Sequence, residues 1–160
     1  MRSGSWGTMI SGNSVRLTTM FEIRAAQVED KDSIQQIYIS AVGAQAATNK
    51  AQWDKLIQAG GLLVAQMADR IIGFGGIDVD AREQLKWLYL LPQYQRAGVG
   101  SQLLHRLEEI GWAAGLGLLR LHSAPGAIEF YRRHGYKAVG PTEIFGHDHD
   151  GLEMVKSSPK

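Results

Sequence analysis

The sequence predicts an α/β domain whose mixed, mostly antiparallel central sheet has about six to seven strands and is flanked by helices. Two observations favour this class. Segments that alternate apolar and polar residues recur along the chain, and segments with apolar residues three or four apart lie between some of them. Several strand segments also follow one another without a helix between them, which a purely parallel sheet does not allow.

Residues 1–19 differ in composition from the remainder of the chain. They are rich in Ser and Gly and lack the apolar core of a signal peptide. We therefore expect a flexible leader that need not be native. A single domain is expected over residues 20–160, since a chain of 160 residues without an internal repeat or linker suits one core.

The first half of the domain is predicted to contain two helices and four strands. Residues 21–25 alternate as a half-buried strand does, and Asp30 or Asp32 can cap the helix that follows. A second helix is predicted over residues 50–59 and ends at Gly60-Gly61. The other strands are a hairpin of residues 62–67 and 71–77 and, after a polar turn over 78–83, a long strand over 85–91.

The second half begins with a short loop and a surface helix. This helix has one apolar stripe, which is formed by Val99, Leu103, Leu107, Ile110 and Ala114. A strand is predicted over residues 118–123, a short helix over 127–134, and a further strand over 136–139. The last strand is expected between residues 144 and 155.

The loop Gln95-Arg96-Ala97-Gly98-Val99-Gly100 is the most informative segment. Backbone N–H groups at a glycine-rich helix start are suited to a phosphate or pyrophosphate, although two glycines alone equally fit a helix start that needs a tight turn. The loop lacks the lysine of a Walker motif. Because position 103 is Leu, it also lacks the third glycine of the Rossmann fingerprint, so ATP and NAD are not the expected ligands.

This loop resembles the acetyl-CoA loop of the GCN5-related N-acetyltransferase (GNAT) family, whose pattern is Gln/Arg-x-x-Gly-x-Gly/Ala. The segment from Ala127 through Phe130-Tyr131 to Gly135-Tyr136 is similar to the family's Ala-x-x-Phe-Tyr-x-x-x-Gly-Phe/Tyr helix. The resemblance extends over about residues 21 to 156. It departs from the family at residues 122–125, His-Ser-Ala-Pro, where many members carry Asn.

The resemblance implies the acyl-CoA N-acyltransferase fold and direct transfer of acetyl from acetyl-CoA to a primary amine. It implies that Tyr131 lies near the sulfur, where a phenol that is protonated at neutral pH can donate a proton to the departing thiolate. The implied cofactor contacts are main-chain groups of the preceding strand and the loop, namely Leu90, Leu91, Gln95, Arg96, Ala97, Gly98, Val99, Gly100 and Ser101.

Other polar side chains are left open as candidates. The base that takes the amine's proton could be ordered water or one of five carboxylates, Glu22, Asp78, Asp80, Glu83 and Glu143. His122 and Trp53 are candidates for acceptor contacts, whereas His105 and His134 are expected at exposed helix positions. Residues 147–150, His-Asp-His-Asp, precede a glycine and are interpreted as a polar turn, so no metal site is predicted.

The composition of the chain limits the kinds of partner and chemistry that are expected. A net charge of +1 gives no basic excess for nucleic acid, and no apolar run approaches a membrane span, so a cytoplasmic protein is expected. The absence of Cys excludes disulfides and an acyl-cysteine intermediate. A small-molecule or peptide amine is the expected acceptor, and a homodimer is compatible with the resemblance. The alternative function is a non-catalytic acyl-CoA-binding module with a regulatory or partner-binding role.

Overall fold

The computed structural model describes residues 20–44, 50–141 and 151–159. Seven strands and four α-helices lie within these residues. In chain order they are β1 (Phe21–Ala25), α1 (Lys31–Val42), α2 (Lys50–Ala59), β2 (Leu62–Met67), β3 (Arg70–Ile77), β4 (Leu85–Leu90), α3 (Val99–Ala113), β5 (Leu118–Ser123), α4 (Ile128–Arg133), β6 (Lys137–Pro141) and β7 (Leu152–Ser157). None of these helices is both long and apolar enough to cross a membrane.

The strands form two antiparallel sheets, which confirms the predicted α/β class with mostly antiparallel strands. One sheet has the order β1-β2-β3-β4 and the other has the order β5-β7-β6, so the last strand of the chain inserts between β5 and β6. Within the described residues, β4 bonds to β3 and β5 bonds to β7, so these two strands are edges that face each other. The last strand was expected between residues 144 and 155 and is observed at Leu152–Ser157, whereas the other predicted bounds are correct to within two residues.

Two apolar clusters lie on opposite faces of the first sheet. On β2, Leu63 and Ala65 belong to the cluster under α3, whereas Leu62 and Val64 belong to the cluster under α1 and α2. This alternation follows from the two-residue period of a strand. Because both faces of β2 are covered, its sequence is an apolar run, without the polar alternation of a half-exposed strand.

The stripe of α3 is wider than its predicted form. Leu103 and Leu107 are buried as expected, but Leu104 and Glu108 are buried as well. Ala114 was expected in the stripe and is instead the exposed residue that follows the last turn. The apolar arc therefore covers more than a third of the helix circumference, as it does in a helix packed between a sheet and a second layer.

A β-bulge redirects the side chains of β4. The pairing of β3 with β4 shifts between Phe74 and Gly76, and Trp87 has a φ of +59° at this point. The extra residue turns Leu85 toward the α3 cluster, while Trp87 and Tyr89 both face the α1 and α2 cluster. Because Trp87 and Tyr89 are two residues apart, strand alternation then places both aromatic side chains on the same side of this edge strand.

Candidate functional site

A cavity of about 390 Å³ lies where the two sheets separate. Residues 85–89 of β4 form one wall, and Leu121, His122 and Tyr131 lie on the opposite wall. Its volume is in the range that encloses small ligands. Because alternate N–H and C=O groups of an edge strand point away from its partner strand, β4 offers main-chain hydrogen bonds toward this opening.

Side chains close the gap between the sheets at one end. The N–H of Arg120 donates to the Gln84 side-chain oxygen at 2.9 Å, which joins the start of β4 to the middle of β5. The buried Glu153 carboxylate pairs with Arg120 at 2.8 Å and with Arg82 at 3.3 Å. The Gln84–Arg120 and Arg82–Glu153 contacts join the loop before β4 to the second sheet, so the cleft opens toward the far ends of β4 and β5.

The predicted cofactor loop lies beyond the far end of β4. Gly98 precedes α3 with a φ of +87°, and Arg96 has a φ of +67°. The first N–H groups of a helix have no acceptor within it, and Gly98 has no side chain that could cap them. Gln95, Arg96 and Gly98 are exposed, so a ligand can reach this surface.

The side chain of Val99 is buried in the core, so this residue can offer only main-chain groups to a ligand. Together with the positive φ at Gly98, this makes the loop a cradle of N–H groups without a side chain in front of it. Such a cradle at the positive end of a helix dipole fits a pyrophosphate. Cofactor binding by Gln95 to Ser101 stays a prediction.

The main-chain groups of Leu90 and Leu91 differ in availability. The N–H of Leu91 donates to the carbonyl of Ile72 at 2.9 Å, so it is already used within the first sheet. Antiparallel strands alternate in the direction of their hydrogen bonds, so the N–H and C=O of Leu90 point toward the cleft. Of the two predicted positions, Leu90 is therefore the one that can pair with an extended ligand.

Tyr131 lies in the cavity wall, on α4. Its ring packs edge-on against Phe130 at 5.2 Å and against Tyr136 at 5.7 Å. Burial raises the pKa of the Tyr131 phenol well above its ordinary value, and the neighbouring Tyr89 adds to this effect. The hydroxyl therefore keeps its proton at neutral pH, as a proton donor must. The role of Tyr131 as an acid stays a prediction.

A hydrogen bond that the sequence did not suggest links the first turn of α3 to the end of α4. His134 Nδ1 lies 2.7 Å from the carbonyl oxygen of Phe130, so this nitrogen carries a proton and donates. In the neutral ring the other nitrogen is then an acceptor, and the Ser101 hydroxyl donates to His134 Nε2 at 2.9 Å. The expectation that His134 is exposed was wrong, because its ring is half-buried against Phe130 and Ser101.

Of the four candidate carboxylates within the described residues, one lines the cavity and three lie elsewhere. Glu83 lines the cavity. Asp78 lies outside it, and although partial burial opposes the shift, hydrogen bonds from Lys55 and from the Asp80 amide hold its pKa below the ordinary value, which makes it a poor base. Asp80 is on the same turn and Glu22 is exposed on the edge strand β1. Glu143 lies outside the described residues.

The other candidate side chains differ in whether they line the cavity. His122 lines the cavity, as a residue near the acceptor should. Trp53 does not line it, because its side chain is fully buried behind Tyr38 and Trp87. His105 is exposed and pairs with Glu109, as expected for a surface helix position. Residues 147–150 lie outside the described residues.

Comparison with known proteins identifies relatives of the chain. The sequence profile of the acetyltransferase (GNAT) domain matches residues 58–138. An IAA acetyltransferase of Azospirillum brasilense is 31% identical over 100 residues, which cover 59% of this chain and 65% of that protein. The uncharacterized N-acetyltransferase YjcF of Bacillus subtilis (strain 168) is 27% identical over 77 residues, which cover 48% of this chain and 55% of YjcF. The matches thus span less than two thirds of these curated relatives.

A solved structure shares the fold. YncA from Salmonella typhimurium, a putative acetyltransferase whose structure contains acetyl-CoA, superposes with a TM-score of 0.70 over 86% of this chain and 93% of that one. The sequence identity is 21%, so this likeness concerns the fold. It agrees with the α/β architecture of two antiparallel sheets flanked by helices.

Proposed function

The chain belongs to the GNAT acetyltransferase family, and we propose that it transfers the acetyl group of acetyl-CoA directly to a primary amine. The observation that carries this proposal is the position of a protonated, half-buried phenol, Tyr131, in the wall of a cavity beside the open edge of β4. A proton donor and a strand edge on one cavity are what a direct acyl transfer requires.

Main-chain groups hold the cofactor in this proposal. The N–H groups of Gly98 to Ser101 bind the pyrophosphate at the positive end of α3. The N–H and C=O of Leu90 pair with the extended pantetheine arm as an added strand would. This pairing directs the thioester along β4 toward the cavity, where Tyr131 lies.

Two side chains donate and accept the protons of the reaction. The amine nitrogen forms a bond to the acetyl carbon, and the bond from that carbon to sulfur breaks. Tyr131 donates its phenol proton to the departing sulfur, while Glu83, directly or through water, accepts the proton that the amine loses. The proton on Glu83 restores the phenol by way of solvent, so the products are an amide and a free thiol. Since the chain has no Cys, no acyl-cysteine step is included.

The test has two stages. Acetyl-CoA should raise the melting temperature, whereas NAD and ATP should not, because the loop lacks the lysine and the third glycine of nucleotide-binding loops. Thiol release from acetyl-CoA is then measured with a panel of primary amines. No shift at saturating acetyl-CoA contradicts the whole proposal. A shift without thiol release for any amine favours the non-catalytic acyl-CoA-binding module.

A further inference from the structure

Three half-exposed aromatic side chains form part of the cavity wall. Tyr38 on α1 and Trp87 and Tyr89 on β4 line the cavity, and we call them the aromatic wall. Large apolar side chains seldom stay exposed in a concave site without a ligand to cover them. Because the aromatic wall belongs to the cavity of the proposed acetyl transfer, the role we infer for it rests on that proposed function and concerns the acceptor amine.

The aromatic wall is held rigidly by two fully buried rings. Trp53 packs edge-on against Tyr38 at 5.8 Å and against Trp87 at 6.2 Å, and Phe74 lies 5.9 Å from Tyr89. Tyr38 and Tyr89 also meet edge-on at 5.6 Å. Because each ring already has partners in the core, the wall needs no rearrangement to receive a ligand, and little binding energy is lost in ordering it.

The aromatic wall lies close to the proposed chemistry. Tyr89 is near enough to Tyr131 to help raise the pKa of its phenol. The aromatic wall and Tyr131 also line the same cavity of about 390 Å³, so a group that packs on the wall shares one small space with the proposed proton donor. An amine on a short alkyl chain suits a cavity of this size.

The charges of the cavity lining argue against a different class of acceptor. Among the described residues, one carboxylate, Glu83, and one ammonium, Lys86, line it, so this part of the lining has no net negative charge. A polyamine, which carries several positive charges, would need an anionic surface. Aromatic rings, in contrast, prefer edge-on and offset contacts with other rings, which the wall offers on three side chains.

We propose that the acceptor is an arylalkylamine, a primary amine joined by a short alkyl chain to an aromatic ring that packs on Tyr38, Trp87 and Tyr89. The ring provides the binding contacts, and the alkyl chain carries the amine to the thioester beside Tyr131. Specificity comes from the planar, polarisable face of the ring, since a saturated ring of the same size cannot make edge-on aromatic contacts.

The experiment compares kcat/KM for 2-phenylethylamine, 2-cyclohexylethylamine and spermidine, with acetyl-CoA saturating. We expect 2-phenylethylamine to exceed each of the other two by roughly tenfold, as two or three aromatic contacts would give. Trp87→Leu and Tyr38→Leu should each lower this preference roughly fivefold through KM, whereas Tyr38→Phe should keep it because the ring remains.

Trp112→Leu is the matched control, because Trp112 is half-buried on α3 and packs against the other cluster. It should lower stability without changing the preference. Equal kcat/KM for the phenyl and cyclohexyl amines, or a preference that survives both leucine variants, overturns the arylalkylamine assignment. Turnover of aliphatic amines alone would overturn this assignment while the proposed acetyl transfer stands. If no amine is acetylated, whether or not acetyl-CoA binds, the result would count against the acetyl transfer itself.

Discussion

Replacing Tyr131 with phenylalanine removes the phenol proton and leaves the ring in place. The contacts with Phe130 at 5.2 Å and Tyr136 at 5.7 Å are ring contacts, so Tyr131→Phe keeps them. In the described part of the chain the Tyr131 hydroxyl makes no hydrogen bond that the variant would break. We therefore expect the free energy of unfolding to change by less than about 1 kcal/mol, and acetyl-CoA affinity to stay within about twofold.

The catalytic effect should be large by comparison. A positioned general acid contributes about 10²- to 10⁴-fold, so Tyr131→Phe should lower kcat by roughly 10² or more, which corresponds to about 2.7 kcal/mol at the transition state. The pH dependence is a second signature. Because burial raises the pKa of this phenol above its ordinary value, the wild-type rate should not fall near pH 10 through loss of the Tyr131 proton.

The assay is thiol release in single-turnover and steady-state modes, and Tyr136→Phe is the control. Tyr136 donates a buried hydrogen bond to Glu108 at 2.8 Å and lies outside the cavity wall. Its phenylalanine variant should lose about 1 to 3 kcal/mol of stability and keep turnover within about threefold. A catalytic role for Tyr131 is refuted if Tyr131→Phe turns over within about threefold of wild type, or if its loss matches a loss of acetyl-CoA affinity.

Three further changes test other parts of the structure. Gly98→Asp should abolish the melting-temperature shift with acetyl-CoA, since it places a negative charge at a position with positive φ; an unchanged shift would remove the loop from the binding site. His134→Leu should raise the KM for acetyl-CoA roughly fivefold at constant kcat by releasing Ser101, with partial rescue in His134→Gln; an unchanged KM contradicts this. Asp30→Asn should lower the free energy of unfolding by about 2 kcal/mol at neutral pH. Hydrogen bonds from Arg24 lower the pKa of Asp30, so this stability is present above the unfolded pKa of about 3.9 and is lost as pH falls through the folded value. If the melting temperatures of wild type and Asp30→Asn still differ in acid, the ionised Asp30 carboxylate is not the source of this stability.

Local sequence patterns were sufficient to predict the helices and strands. They were not sufficient to predict which strands lie beside each other. The periodicity of residues 62–67 and 71–77 predicts a hairpin because adjacent strands need only a short turn. The separation of β4 from β5 leaves no trace in either strand, since a strand's own residues do not specify which strand lies beside it. The bulge at Trp87 likewise depends on how β4 pairs with β3.

Burial of Glu108 could not be predicted for the same reason. Its partners, Tyr136 and Lys156, are 28 and 48 residues away in the chain, and the Lys156 ammonium lies 3.0 Å from the carboxylate. A charged residue on a helix is ordinarily a surface residue. Only the fold brings together the ammonium and the phenol that make this buried carboxylate tolerable.

The candidate site divides in a similar way. Sequence motifs identified the loop and Tyr131, because each has a pattern of residue types at fixed spacing. The five candidate carboxylates have no such pattern, and Glu83 is distinguished from Asp78 only by its position in the cavity wall. The aromatic wall escaped prediction because Tyr38 and Tyr89 are ordinary apolar positions in their own segments.

The two glycines of the predicted cofactor loop are needed for different physical reasons. Gly98 has a φ of +87°, a conformation that side chains disfavour, so the backbone itself requires glycine there. Gly100 is helical, and a Cβ added to it would lie 3.4 Å from Leu90 and 3.6 Å from Phe130, which is close to ordinary contact. Alanine can therefore be accommodated at position 100 and not at position 98 without strain. This difference explains why a Gly-x-Gly/Ala pattern tolerates Ala at its second glycine: the first glycine forms the N–H cradle, and the second lets the start of α3 pack between β4 and the helix that carries Tyr131.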